Sequence, residues 1–180
     1  MRKIYIVLTY TGTILSKIIK IYTKDEFSHV SIALDEELKE MYSFGRLNPY
    51  NPFFGGFVQE NINSGTFRRF KKTKTAIYSL KVNEEEYEKI QNTIKQIQES
   101  EKPYRFNIIG LFAVGLKLRI HKKHSFYCAE FVKYSLENSG IETNLPQIIR
   151  PENFKHLENL NLEYKGRLVK YKPRNCLISQ

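Results

Sequence analysis

Short apolar blocks of strand length alternate along this chain with segments whose apolar residues recur at helical spacing. Ile4 to Thr9 is a run of the first kind, and Thr13 to Tyr22 is one of the second, with Ile14, Ile18 and Ile21 on one side. Thr11-Gly12-Thr13 supplies the turn between them. His29 to Leu34 and Leu38 to Phe44 are β-rich runs parted by the acidic Asp35-Glu36-Glu37, which is the pattern of a hairpin. Gly45 to Gly56 contains three glycines, two prolines and two asparagines, and predicts a loop long enough to wall a cleft. Phe57-Val58 and Thr75 to Val82 then return the chain to the sheet.

The second half is more helical. Asn83 precedes Glu84-Glu85-Glu86, so an N-cap and three acids stand at the positive end of a helix running to Gln98, with Tyr87, Ile90, Ile94 and Ile97 at helical spacing. Pro103 interrupts, Asn107 to Leu118 predicts another helix, and a third runs from Cys128 to Asn138, where Ser139-Gly140 stops it. Arg150 to Phe154 reads as a short helical turn, and Leu162 to Tyr171 as a final hairpin or strand. There are no internal repeats. The 180 residues suffice for one α+β domain with its own core, and no polar linker divides them.

Charge narrows the partners without choosing one. The formal net charge is +10, which favours an anionic neighbour such as nucleic acid, a phospholipid surface or an anionic wall polymer. Lys and Arg are dispersed, with short clusters at Arg68 to Lys72, Lys117 to Lys123 and Lys170 to Arg174, and a solvated basic surface accounts for most of them. No motif for DNA or RNA binding accompanies them. Two cysteines, Cys128 and Cys176, do not make a disulfide framework. The apolar run after Met1 is too short for a signal peptide, so a reducing, cytoplasmic setting is expected. The most apolar window, Ile108 to Leu118, is too short to cross a bilayer. Its basic end at Lys117, Arg119, Lys122 and Lys123 leaves peripheral contact with anionic lipid as an alternative to burial.

The candidate chemistry lies in Ser125-Phe126-Tyr127-Cys128-Ala129-Glu130-Phe131-Val132, where a cysteine opens a helix. First-turn N–H groups lack intrahelical partners and carry the positive end of the dipole, which favours a thiolate and an oxyanion beside it. A buried inert thiol is the ordinary alternative. Far upstream, Phe27-Ser28-His29-Val30-Ser31-Ile32 opens a strand with a histidine that can serve as the base. Neither residue is persuasive singly; the pair is.

The order of these features, with a Ser-His-Val-Ser-Ile strand first and a Tyr-Cys-Ala-Glu-Phe-Val helix later, resembles the circularly permuted papain-like proteins. That group is related to NlpC-type cell-wall peptidases and to lecithin retinol acyltransferase. The resemblance spans Ile4 to about Asn138. It implies a permuted papain-like α+β fold over residues 1–180, with a central antiparallel sheet packed against helices and the nucleophile at a helix N-terminus. It makes Cys128 the nucleophile and His29 the base of a thiol-dependent hydrolase or acyltransferase. Substrates would be small-molecule, peptide or isopeptide amides or lipid acyl esters, with an anionic, lipid-linked substrate as a further expectation. No cofactor or metal is expected, since the cysteines and histidines show no close ligand spacing.

A third member to orient His29 is left open. A two-residue turn at Glu36-Glu37 would place His29 opposite Phe44 and on one face with Tyr42 and Glu40, whereas an odd-length turn or a bulge brings Ser43 to that face. Alignment with the family's strand favours Ser43, and Glu60 in Val58-Gln59-Glu60-Asn61 is a further candidate. The rival class is a non-catalytic module of the same fold that holds an anionic partner. His121, His124 and His156 read as surface residues, His124 being the one close enough in sequence to sense the site, and Cys176 reads as an exposed tail thiol. Glu130 complements the helix dipole, and Tyr127 packs over the site. The aromatic Tyr50 to Phe57 stretch fits an acceptor wall or a core anchor equally.

Overall fold

The computed structural model describes residues 1–48, 51–115, 118 and 123–173. Cys176, His121, Lys117, Arg119, Lys122, Pro49, Tyr50 and Arg174 fall outside them. Eight strands form one sheet in the order β7-β6-β4-β3-β2-β1-β5-β8. The strands are β1 (Arg2–Tyr10), β2 (His29–Ala33), β3 (Met41–Asn48), β4 (Asn51–Glu60), β5 (Lys74–Val82), β6 (Arg105–Phe106), β7 (Ser125–Phe126) and β8 (Leu160–Arg167). All neighbours run antiparallel except β6 and β7, so the sheet is mixed rather than wholly antiparallel.

β1 explains why the sheet is covered on both sides. Its residues Ile4 to Thr9 are buried without alternation, as expected of a strand with no solvent face. Ile6, Leu8, Val30, Ile32 and Phe44 belong to the larger core, beneath helices α3 (Glu84–Gln98) and α5 (Cys128–Asn138). Tyr5, Val7, Ala33, Met41 and Ile77 belong to a smaller core on the opposite side, closed by Phe67 and Leu168. α3 starts where the sequence indicates: Asn83 Oδ1 accepts the Glu86 N–H at 2.8 Å, and Glu86 Oε2 accepts the Asn83 N–H at 2.7 Å. This reciprocal box satisfies two otherwise unpaired donors.

The β3–β4 and β2–β3 connections differ from the sequence reading. Gly45 to Gly56 is not a cleft-wall loop, because β3 and β4 form a hairpin through it with a register shift between Arg46 and Asn48. Its glycines answer to close approach rather than to turning: a Cβ at Gly55 would lie 2.8 Å from the Gly45 carbonyl oxygen and 2.9 Å from the Phe106 ring. Phe57 is a core anchor, in ring contact with Tyr42, Phe44 and Phe131. The β2–β3 connection is longer than a tight turn, with the Leu34 N–H bonded to the Glu40 carbonyl. Leu38 sits within it at φ 56 and is buried.

α1 (Ile14–Thr23) is capped by the Thr13 hydroxyl, which accepts the Ser16 N–H. The two ends of the expected apolar stripe face away from the core, Ile14 being 80% and Ile21 74% exposed, while Ile18 is half-buried and Ser16 buried. α4 (Ile108–Gly115) lies against α1, within the Asn107 to Leu118 span expected to be helical. A short helix α2 (Gly65–Arg69) follows β4. Among the described residues no helix is long and apolar enough to cross a membrane.

Candidate active site

His29 is the first residue of β2, and Cys128 is the first residue of α5, a helix that packs across β2 and β3. The two residues line one cavity where the strand begins and the helix begins, and Cys128 is close enough to His29 to favour a charged imidazole. Cys128 is only 3% exposed, yet it lines a cavity of about 60 Å³ together with His29, Gly45, Arg46 and Glu60. Leu15 and Ile19 of α1 and Leu111 of α4 form its apolar side.

The β2–β3 register decides which residues surround the imidazole. Ile32 pairs with Tyr42 and Ala33 with Met41, across the odd-length connection Asp35 to Lys39. Carried along the strands, this register aligns Ser43 with Ser31 and Gly45 with His29, all on one face. A Cβ at Gly45 would accordingly lie 3.5 Å from His29 Cε1. Met41 pairs in turn with Glu60 of β4, which brings that carboxylate to the same face.

Glu60, not Ser43, stands against the ring. His29 Nε2 lies 3.0 Å from Glu60 Oε1, and the Ser31 hydroxyl donates to Glu60 Oε2. Ser31 Oγ is also 3.4 Å from His29 Nε2. Ser43 is buried one step away, and its hydroxyl meets no partner with hydrogen-bond geometry, although it is near enough to Glu60 to favour the ionised carboxylate. Of the other two candidates, Tyr42 belongs to the larger core and Glu40 is exposed at the end of the connection. Glu60 is placed by the β3–β4 hairpin, which occupies the Gly45 to Gly56 stretch that its glycines and prolines mark as a loop.

Electrostatically the three groups are one unit. Burial disfavours a charged imidazole, but the Glu60 carboxylate and Cys128 outweigh it and push the His29 pKa up to about 10. Burial also works against the Glu60 carboxylate, and the His29 charge with hydrogen bonds from His29 and Ser31 reverses that, leaving its pKa below the ordinary value. The histidine therefore tends to its charged form while the carboxylate stays ionised.

The remaining sequence candidates lie apart. His124 packs on Tyr104 with ring centroids 5.2 Å apart and lines no part of this cavity. His156 is exposed. The Glu130 carboxylate accepts the Tyr127 N–H at 3.3 Å, a helix-capping contact. Tyr127 is buried and donates its hydroxyl to the Ile149 carbonyl at 3.0 Å, so it anchors the helix start. No protein-family model matches the chain, and no curated protein gives a significant sequence match.

Proposed function

We propose that the protein is a thiol-dependent hydrolase or acyltransferase of the permuted papain-like type, with Cys128 as nucleophile, His29 as general base and acid, and Glu60 as the residue that positions His29. The observation that carries this is that Cys128, on the first residue of a helix, and His29 line one cavity, with Glu60 Oε1 3.0 Å from His29 Nε2 behind them.

With Nε2 turned to Glu60, Nδ1 is the ring atom left for the thiol. The thiol proton passes to His29, and the thiolate attacks the acyl carbon of an amide or ester. The oxyanion develops beside the Cys128 N–H at the positive end of the helix dipole. Collapse breaks the bond to the leaving nitrogen or oxygen, which takes the proton from His29, and a thioester remains on Cys128. Water or another hydroxyl or amine, deprotonated by His29, then resolves the thioester and returns the thiol. Glu60 holds the ring in the tautomer that this requires and balances the imidazolium.

The near-complete burial of Cys128 favours a second reading, a binding module whose thiol is structural. One experiment separates them: the pH dependence of iodoacetamide alkylation at Cys128, followed by peptide mass spectrometry on native wild type, His29→Ala and denatured protein. The enzyme reading expects the native thiol to react faster than the denatured one below pH 7, with that advantage gone in His29→Ala. Protection at every pH until the chain unfolds would leave the structural reading standing.

A further inference from the structure

Arg46 follows Gly45 on β3 and is one of the residues that line the cavity holding Cys128 and His29. It is half-buried, and among the described residues no hydrogen bond or ion pair is made by its guanidinium. A guanidinium withdrawn from water without a partner is costly, so its surroundings ought to compensate it. They do so only in part. Glu60 is the carboxylate whose field reaches it, and both Glu60 oxygens are already engaged by His29 and Ser31.

A second cation stands on the same support. Arg46 Cζ lies 5.8 Å and Arg69 Cζ 5.6 Å from the centre of the Phe70 ring, so one aromatic ring is approached by two guanidinium groups. The Arg69 charge acts on Arg46 and opposes its own, which an anion beside Arg46 would offset. Thr66 of α2 adds a hydroxyl-bearing residue to the lining shared by Arg46 and Cys128.

We infer that Arg46 is an anion-recognition site that selects substrates carrying a carboxylate or phosphate close to the scissile carbonyl. This rests on the proposed function in one respect, that the cavity admits an acyl substrate at Cys128. Guanidinium suits either anion, because its planar fork donates two parallel hydrogen bonds. The chain's net charge of +10 would draw such substrates inward without conferring selectivity, which falls to the residue inside the cavity.

Two alkylating reagents of similar shape test it, iodoacetate, which carries a carboxylate, and iodoacetamide, which does not. The ratio of their rates at Cys128 is compared in wild type, Arg46→Gln and Arg46→Lys at constant ionic strength. The expected result is a ratio on the order of tenfold lower in Arg46→Gln, from loss of one nearby charge, and partly restored in Arg46→Lys. In parallel, acetate and inorganic phosphate are titrated against the melting temperature at fixed ionic strength. A saturable rise in wild type that Arg46→Gln lacks is expected, and whichever anion gives it identifies the preferred group. An unchanged ratio together with an unchanged melting response in Arg46→Gln would overturn the inference. If Cys128 reacts with neither reagent faster than in the denatured chain, the enzyme reading fails, and the titration alone decides the anion site.

Discussion

Burial would drive His29 toward neutrality, and the carboxylate beside it reverses that, so this one side chain links stability to pH. A pKa raised to about 10 from an ordinary 6.5 stabilises the fold fully below pH 6.5, and the contribution fades as pH climbs toward 10. Glu60 works in the opposite sense: its lowered pKa contributes above the ordinary 4.5 and is lost as pH falls through the lower, folded value. The pair is therefore worth most between pH 4.5 and 6.5. His29 and Glu60 are 20% and 11% exposed, so solvent screens the contact little, and removing one partner should cost about 3 kcal/mol. Urea unfolding of wild type and Glu60→Gln across pH 4 to 10 should show this gap widest in that window and narrowing on the alkaline side. A gap independent of pH would mean that Glu60 supports the fold by packing alone. In the positioning role proposed for it, Glu60 should also move the chemistry. The same variant is expected to shift the pH profile of Cys128 alkylation and to lower turnover by roughly 10²- to 10⁴-fold.

Among the elements, α3 is the one most fully legible in the sequence and the one most remote in purpose from the cavity. Its capping box joins Asn83 and Glu86, and Asn83→Ala should lower stability by about 1 kcal/mol. Cys128 alkylation in the native state should be unchanged, which makes this variant a control for scaffold damage. Caps and helical spacing made α3 and α5 readable because both features are local. The β3–β4 hairpin was not readable, since Gly55 is dictated by Phe106, a residue of a distant strand. α1 shows a different shortfall. The spacing of Ile14, Ile18 and Ile21 identifies a helix and its apolar side, but an amphipathic pattern cannot say whether that side meets the body of the protein. Here Ile14 and Ile21 are turned outward. The two-residue strands β6 and β7 carry no periodicity to detect, and they exist because β4 offers an edge to Arg105.

Across the whole molecule, the site is assembled from residues about a hundred positions apart in a chain of 180. His29 meets Glu60 across a hairpin and a five-residue connection, and Cys128 arrives on a helix a hundred residues later. The residue types at both ends of the motif pair were evident from sequence, whereas the third group depended on strand parity, which is a property of loop lengths. The connection Asp35 to Lys39 fixes that parity. Deleting Glu37, an exposed residue with no catalytic assignment, would shift β3 by one place and exchange the two faces of both β3 and β4. Ser43, Gly45 and Glu60 would leave the imidazole while Tyr42, Phe44 and Gln59 replaced them, unless a bulge absorbed the change. Removing one residue should therefore abolish the pH-dependent reactivity of Cys128, and inserting two glycines at the same place should preserve it. Over evolutionary time the same arithmetic acts as a reading frame in space: any descendant that keeps this trio is expected to lengthen or shorten that loop in steps of two.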